Sequence, residues 1–343
     1  MTESLETTQN PEKLRRVAID PLTRVEGHSK VTLLMDEDNR IRQARLHIVE
    51  FRGFEKFIQG RPYWELPVVV QRLCGICPVS HHLAAAKATD QLVGVDTLTP
   101  TAEKVRRLMH RGQMLQSHAL HFFHLSSPDL LFGYVDEVSH RNIVGVLADY
   151  PALAKQGVLL RKYGQEVIRV TAGKRVHGTS AIPGGVNKHI SREERDYLLQ
   201  EIDQIIDWGA AAVGLAKRLF VEDIEHSRDF ALIESNMLSL VRGDGALDLY
   251  HGGLRARKPD GSLVFDHVDY RDYEQHIHEQ VKPWSYMKFP FMTALGKEQG
   301  AYRVGPLARI NNCDFIETPL AEAARADFRA FAGGLMQSTL AYH

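Results

Sequence analysis

The sequence predicts a mainly α fold with a small N-terminal β-sheet, an α+β chain organised as one large helical domain. Three observations lead there. Apolar–polar alternation appears in the N-terminal part, over 28–35 and 41–49. After Gly60 the apolar spacing becomes helical. Helix-start signals then recur along the chain, and no repeat or linker divides it.

Taken in order, residues 1–13 read as a disordered polar arm. The two alternating runs are joined by Asp36-Glu37-Asp38-Asn39, a turn-forming series, so a hairpin is expected. A short helix is expected over 80–93. Thr99-Pro100 supplies an N-cap and first position for a long helix to about His124. Ser191-Arg-Glu-Glu194 is a capping box opening a helix to about Phe220. Between these lies a glycine-rich loop over 178–185. Residues 240–310 are mixed in pattern, with loops and a few strands expected, and 319–343 read as helix again. Apolar residues run to His343 without a C-cap or polar tail. The domain over 1–343 is therefore expected to be incomplete at its C-terminus, a short docked helix being the plainer alternative.

Composition bounds the function. With 44% apolar and 25% charged residues over 343 positions, the chain can bury a large core. A net charge of −1 disfavours nucleic acid as a main partner. No apolar run approaches the ~18 residues that suggest a membrane span. The N-terminus lacks a cationic start followed by an apolar stretch, so a cytoplasmic location is expected. Three cysteines cannot build a disulfide framework.

Two of the three lie in Arg72-Leu-Cys74-Gly-Ile-Cys77-Pro-Val-Ser-His81-His82. A Cys-x-x-Cys pair can chelate one soft metal ion or close into a redox disulfide. Zinc needs four ligands, and His81 and His82 are near enough to be candidates. A thioredoxin-like pair sits at a helix start inside a βαβ unit. Spacing alone leaves zinc, thiol redox and another thiolate-bound metal all open.

The surroundings are more specific. Arg72-x-Cys-Gly-x-Cys-x-x-x-His81 resembles the N-terminal nickel-binding motif of the nickel–iron hydrogenase large subunit. Asp20-Pro-Leu-Thr-Arg24-Val-Glu26-Gly-His28 resembles that family's opening segment, Phe51-Arg-Gly-Phe-Glu55 the stretch before its cysteines, and His177-Gly-Thr-Ser-Ala-Ile-Pro183-Gly-Gly its mid-chain loop. Tyr302-Arg-Val-Gly-Pro-Leu-Ala-Arg309, with the wording around the cysteines, is most similar to the cytoplasmic NAD-reducing branch. The resemblance implies a large-subunit-like helical bundle that catalyses reversible heterolytic oxidation of H2. It implies a centre in which four thiolates hold nickel, two of them bridging to an iron that carries cyanide and carbon monoxide. Carried over, Cys74 is a terminal nickel ligand and Cys77 bridges nickel and iron. His81 hydrogen-bonds the bridging thiolate, Glu26 relays protons, and Glu55 binds magnesium. Read without the resemblance, Glu26 is a turn carboxylate paired with Arg24, and Glu55 a solvated charge beside Lys56. The implied partners are an iron–sulfur small subunit, diaphorase subunits carrying FMN and NAD, and maturation proteins.

The sequence also departs from the family. It has no second Cys-x-x-Cys; Cys313, in Asn311-Asn312-Cys313-Asp314, fits no nickel motif and reads as a buried thiol. No Pro-Arg-Gly segment matches the one near the iron, and Leu340-Ala-Tyr before His343 is not the family's maturation cleavage site. The chain by itself is therefore expected to carry half a nickel site and to be inactive alone. Two readings compete: a Cys-x-x-Cys zinc or thiol-redox protein, and an inactive, hydrogenase-like interaction subunit. His110, Met114, His121 and His124 share about one helical face but read as a packed or partner-facing stripe, and His276-x-His278 is weaker still. No nucleotide-binding glycine motif is present, so NAD is expected on another subunit.

Overall fold

A computed structural model describes residues 13–23, 25–133, 137–331 and 337, without the side chain of His226. The expected 1–13 arm, apart from Lys13, and the last residues of the chain lie outside these. The described chain forms two compact units. One takes residues up to 55 together with 234–317; the other takes 56–233 and 318–330.

The first unit holds the sheets. Strands β1 (Arg15–Ile19), β2 (Ser29–Met35) and β3 (Ile41–Ile48) form an antiparallel meander in that order. The expected hairpin is β2–β3, with Val31 opposite Leu46 and Leu33 opposite Ala44. Its turn is made by Asp36, whose carboxylate accepts from the amides of Asp38 and Arg40. β1 extends the sheet one strand beyond the expected hairpin.

Residues 236–303 give a larger share of strand than their mixed pattern suggests. Strands β4 (Asn236–Val241), β5 (Gly253–Arg257), β6 (Leu263–Val268) and β9 (Tyr302–Arg303) form a sheet in the order β9-β4-β5-β6, while β7 (Ile277–Val281) and β8 (Lys288–Met292) pair separately. β4 shows no alternation because nearly every residue in it is buried. Leu238, Ala256 and Met292 form the local core. Arg255, nearly buried on β5, is held by Asp266 at 2.7 Å, Asp314 at 3.0 Å and the Asn312 carbonyl at 2.9 Å. Cys313 is buried at the end of the short helix Pro306–Asn312, as expected of a structural thiol.

The second unit is helical. Its main helices are α1 (Pro78–Leu92), α2 (Pro100–Leu120), α3 (Pro151–Ala172), α4 (Arg192–Leu199), α5 (Ile202–Glu222) and α6 (Pro319–Phe331). α1 starts two residues before the expected position, at Pro78, with Cys77 as its N-cap. α2 starts as expected, Thr99 accepting from the Ala102 amide at 3.3 Å. It turns into a π-helix over His121–Ser126 instead of continuing as α to His124. Pro128 lies four residues beyond His124; it cannot donate to that carbonyl, and its ring crowds it, so the helix widens before it.

The capping box forms as expected: the Glu194 amide donates to Ser191 Oγ and the Ser191 amide to the Glu194 carboxylate. The helix it opens stops at Leu199, however, and a second one begins at Ile202. The Leu198 carbonyl accepts from the Tyr163 hydroxyl at 2.7 Å, which displaces the amide that would have continued the ladder. α6 is the described part of the expected C-terminal helix.

α2 and α3 come close enough for backbone contact. A Cβ on Gly164 would lie 2.7 Å from the Gln116 nitrogen and the Gly112 oxygen, and one on Gly112 would meet Val167 at 2.8 Å. Gly157 likewise admits the Phe123 ring. The shared core of Ala119, Phe123, Leu160 and Ile205 closes over this crossing. Because the obstruction is backbone, it cannot yield by a rotamer change. Gly164→Ala is expected to destabilise the fold by about 1–3 kcal/mol, the usual range for overpacking. Urea denaturation measures this, and an unchanged midpoint would show that the helices can separate freely.

Candidate metal site

The segment before α1 is short and helical, running through Leu66–Val69 and Val70–Leu73. At Cys74 the backbone becomes extended, with φ −143° and ψ 132°, and the chain loops over Gly75 and Ile76 to Cys77. α1 then places His81 one turn along. The two Sγ atoms and a His81 ring nitrogen all lie within 4.8 Å of one another, and all three side chains are half-buried. This is the one group of three or more metal-ligating side chains found among the described residues. Two thiols and an imidazole at this spacing suit a soft or borderline divalent ion. The Cys77 amide donates to Cys74 Sγ at 3.2 Å, which fixes the direction of that sulfur within the loop.

The loop is held from several sides. Gln116 Nε2 donates to the Ile76 carbonyl at 2.8 Å, and Gln113 Nε2 reaches the same oxygen at 3.4 Å. On the other side, His177 Nε2 lies 3.2 Å from the Cys74 carbonyl, and Arg72 lies 3.2 Å from His177 Nδ1. A guanidinium only donates, so Nδ1 accepts and the Nε2 proton points at the carbonyl. Gln71, buried, donates to the Gly178 carbonyl at 3.0 Å. These contacts make the glycine-rich loop over 178–185 a wall of the site. Within it, Ala181–Ile182 and Gly185–Val186 pair as a minimal hairpin around Pro183-Gly184, with Gly184 at φ +81°.

His82 is structural. Its Nδ1 donates to the Pro67 carbonyl at 2.6 Å and its Nε2 accepts from the Ala181 amide at 3.0 Å. Burial holds its pKa below the ordinary imidazole value, consistent with a ring that uses both nitrogens in the neutral form. Thus the two adjacent histidines divide: His81 faces the cysteines and His82 ties α1 to the loop.

Beneath this lies a buried ion pair. Arg106, fully buried on α2, contacts Asp90 of α1 at 2.6 and 3.1 Å. Its guanidinium also donates to the carbonyls of Ile182 at 2.7 Å and Gly185 at 3.0 Å, while Asp90 accepts from the Gly184 amide at 2.7 Å. Three elements of the wall thus converge on one pair.

Glu26 and Glu55 belong to the other unit. Glu26 is exposed in the bend before β2; Arg24 lies outside the described residues. Glu55 is exposed and accepts from Arg52 Nε at 2.6 Å, which lowers its pKa below the ordinary carboxylate range. The His110–His124 stripe gathers no ligand group among the described residues. His121 accepts from or donates to Ser126 at 3.3 Å, and burial lowers the pKa of both His121 and His124. His276 and His278 pack against Phe265 and Phe291.

Sequence reasoning missed Asp90, Arg106, Gln113 and Gln116. A signal existed for three of them. Arg106, Gln113 and Gln116 fall in the buried stripe of α2 with Val105, Met109 and Ala119. A polar residue on a core stripe requires a partner.

The chain is similar to known proteins in sequence and in fold. A family profile described as nickel-dependent hydrogenase matches residues 52–143, and a HoxL-like profile matches 16–51. The NAD-reducing hydrogenase HoxS subunit beta of Cupriavidus necator is 48% identical, covering 93% of this chain and 68% of the relative. The matching chain of the F420-non-reducing hydrogenase vhu of Methanocaldococcus jannaschii is 43% identical, covering 96% and 78%. The crystal structure of an NAD+-reducing nickel–iron hydrogenase in the H2-reduced state superposes with a TM-score of 0.92 at 58% identity, covering 95% of this chain and 72% of the other. A Ni-Fe-Se hydrogenase from D. vulgaris Hildenborough, at 22% identity and a TM-score of 0.74, shares the fold.

The ion pair makes a stability test. Asp90→Ala leaves the Arg106 charge buried without its carboxylate, which is expected to cost about 3–5 kcal/mol. Chemical denaturation measures the loss; a loss under about 1 kcal/mol, the range of surface pairs, would show that water replaces Asp90 there.

Proposed function

The chain belongs to the nickel-dependent hydrogenase large-subunit family, and from that premise we propose that it is the catalytic subunit of a nickel–iron hydrogenase of the NAD-reducing kind. The observation that carries the reading is the convergence of Cys74, Cys77 and His81 at metal-ligand spacing. The reaction is H2 ⇌ 2H⁺ + 2e⁻, and with NAD⁺ as acceptor H2 + NAD⁺ → NADH + H⁺. Both units are taken to serve one large-subunit domain.

In this reading Cys74 and Cys77 would hold the nickel through their Sγ atoms, and Cys77 would also hold the iron with its cyanide and carbonyl ligands. When bound, the bimetallic centre supplies the soft, redox-active acid at which H2 is polarised. The chain's own groups do the rest. His81 hydrogen-bonds the Cys77 sulfur and orients it. The Gln116, Gln113 and His177 contacts hold the loop so that both sulfurs face one point. Heterolysis releases a proton, which a carboxylate must carry away. Glu26 is assigned that relay, and Glu55 a magnesium ion. Electrons leave through an iron–sulfur small subunit to flavin- and NAD-binding diaphorase partners, because three cysteines cannot build a cluster chain as well. Maturation proteins insert the centre, and the complex works in the cytoplasm. No single helix among the described residues is long and apolar enough to cross a membrane.

A second reading is an interaction subunit that keeps the fold without the metals; within the residues given, one Cys-x-x-Cys pair supplies two of the four thiolates that the centre uses. Metal analysis of the purified chain separates the two: about one equivalent of nickel supports the catalytic reading. Zinc that survives dialysis and is lost in Cys74→Ser would instead mark a Cys-x-x-Cys zinc protein.

In the assembled enzyme, Glu26→Gln is expected to keep its metal content and slow H2/D⁺ exchange by about 10²-fold or more, the usual contribution of a positioned proton carrier. Exchange at the wild-type rate would remove Glu26 from the proton path. Cys77→Ser is expected to abolish the iron carbonyl and cyanide bands in the infrared; a normal spectrum would contradict the bridging role.

A further inference from the structure

The Ile76–Cys77 peptide is trans, so its carbonyl and its N–H lie at opposite ends of one rigid plane. Each end has a partner. The N–H donates to Cys74 Sγ at 3.2 Å. The carbonyl turns inward to α2, although the Ile76 side chain faces outward with 41% of its surface exposed. There it accepts from Gln116 at 2.8 Å and, more weakly, from Gln113 at 3.4 Å. Both glutamines are almost fully buried, at 5% and 1% exposure.

The amides form a directed network. A carbonyl only accepts, so the Ile76 oxygen fixes which end of each amide faces it. Gln116 Nε2 spends its second proton on Gln113 Oε1 at 3.2 Å, and Gln113 Nε2 donates to Ser117 Oγ at 2.6 Å. The close approach of α2 and α3 at Gly164 lies directly against the Gln116 backbone and leaves it little room to shift. A peptide whose oxygen is held this way cannot rotate its N–H away from the sulfur. Donation to the oxygen also polarises the peptide and strengthens the N–H···S bond at the other end.

We propose that Gln116, braced by Gln113, is a positioning pair for the metal site: by gripping the Ile76 carbonyl it aims the Cys77 N–H at Cys74 Sγ, and so sets both the bite of the two thiolates and the electron-donating strength of Cys74. The proposal rests on the reading of Cys74 and Cys77 as metal ligands. Hydrogen bonds to ligating sulfur tune the electronics of thiolate-bound metals, and groups that orient ligands typically contribute 10–100-fold in metal affinity.

Cobalt(II) added to the metal-free full chain tests it, because sulfur-to-cobalt charge transfer reports the thiolate directly. Wild type is expected to show the band, and Cys74→Ser to weaken it. If wild type shows no thiolate band, the metal reading itself fails, and this proposal with it. Gln116→Met keeps the side-chain length but removes the donor. It is expected to lower cobalt affinity at least roughly tenfold and to move the band to longer wavelength, since a sulfur without its N–H releases charge more easily. Gln156→Met, which removes an amide bond to the Trp208 carbonyl elsewhere in the same unit, is expected to change neither. Wild-type affinity and band position in folded Gln116→Met would overturn the proposal. So would a loss of affinity with an unmoved band, or the same effects in Gln156→Met. If Gln116→Met does not fold, Gln113→Met is read instead, with a smaller shift in the same direction expected and none counting against the proposal.

Discussion

The helical unit depends on the buried pair between Arg106 and Asp90. An Arg with no exposed surface is tolerated only where its charge and its donors are met. Here Asp90 meets the charge, and the Ile182 and Gly185 carbonyls meet the remaining donors. The same carboxylate takes the Gly184 amide. One contact therefore fixes α1 against α2 and both against the glycine-rich loop. The loop needs such an anchor because a two-residue hairpin has no stability of its own.

Everything at the cysteines follows from that frame. His82 reaches the loop at Ala181, Gln71 at Gly178, and His177 leaves the same loop to hold the Cys74 carbonyl. α2 supplies Gln113 and Gln116 from the face that also carries Arg106. The cysteine sulfurs sit on a half-exposed turn, but the contacts from Gln71, Gln116, Gln113 and His177 that hold its backbone come from buried or half-buried groups. This is how a loop can present ligands with the rigidity of a helix. The protein spends buried polar groups here, where an apolar core would have been simpler, and that concentration itself marks the site.

The sequence was legible where the signal is local. The hairpin over β2–β3 was readable from alternation and from Asp36; α2 from Thr99-Pro100; α4 from its capping box. The metal-binding chemistry was readable because Cys-x-x-Cys offers two soft thiolates three residues apart, with His81 and His82 both close behind. The misreadings arose where a remote group intervened. Tyr163 breaks the ladder between α4 and α5 from 35 residues away. β4 is buried throughout, so no alternation announces it. The pairing of Asp90 with Arg106, and of the glutamines with Ile76, spans 16 to 40 positions, and no spacing rule links them.

What the sequence determined by itself is the chemistry: which side chains can bind a metal, that they stand three and four residues apart, and which family uses that wording. It determined as well where most helices begin, because caps and prolines act on their own neighbours. Only the tertiary structure decided which of the two adjacent histidines faces the cysteines and which is buried in the scaffold. It alone showed that the peptide between the cysteines is gripped at its oxygen and aimed at its sulfur. The reason is physical. Ligand identity is a property of single residues, whereas orientation depends on hydrogen-bond partners that come together only when α1, α2 and the glycine-rich loop pack around Arg106.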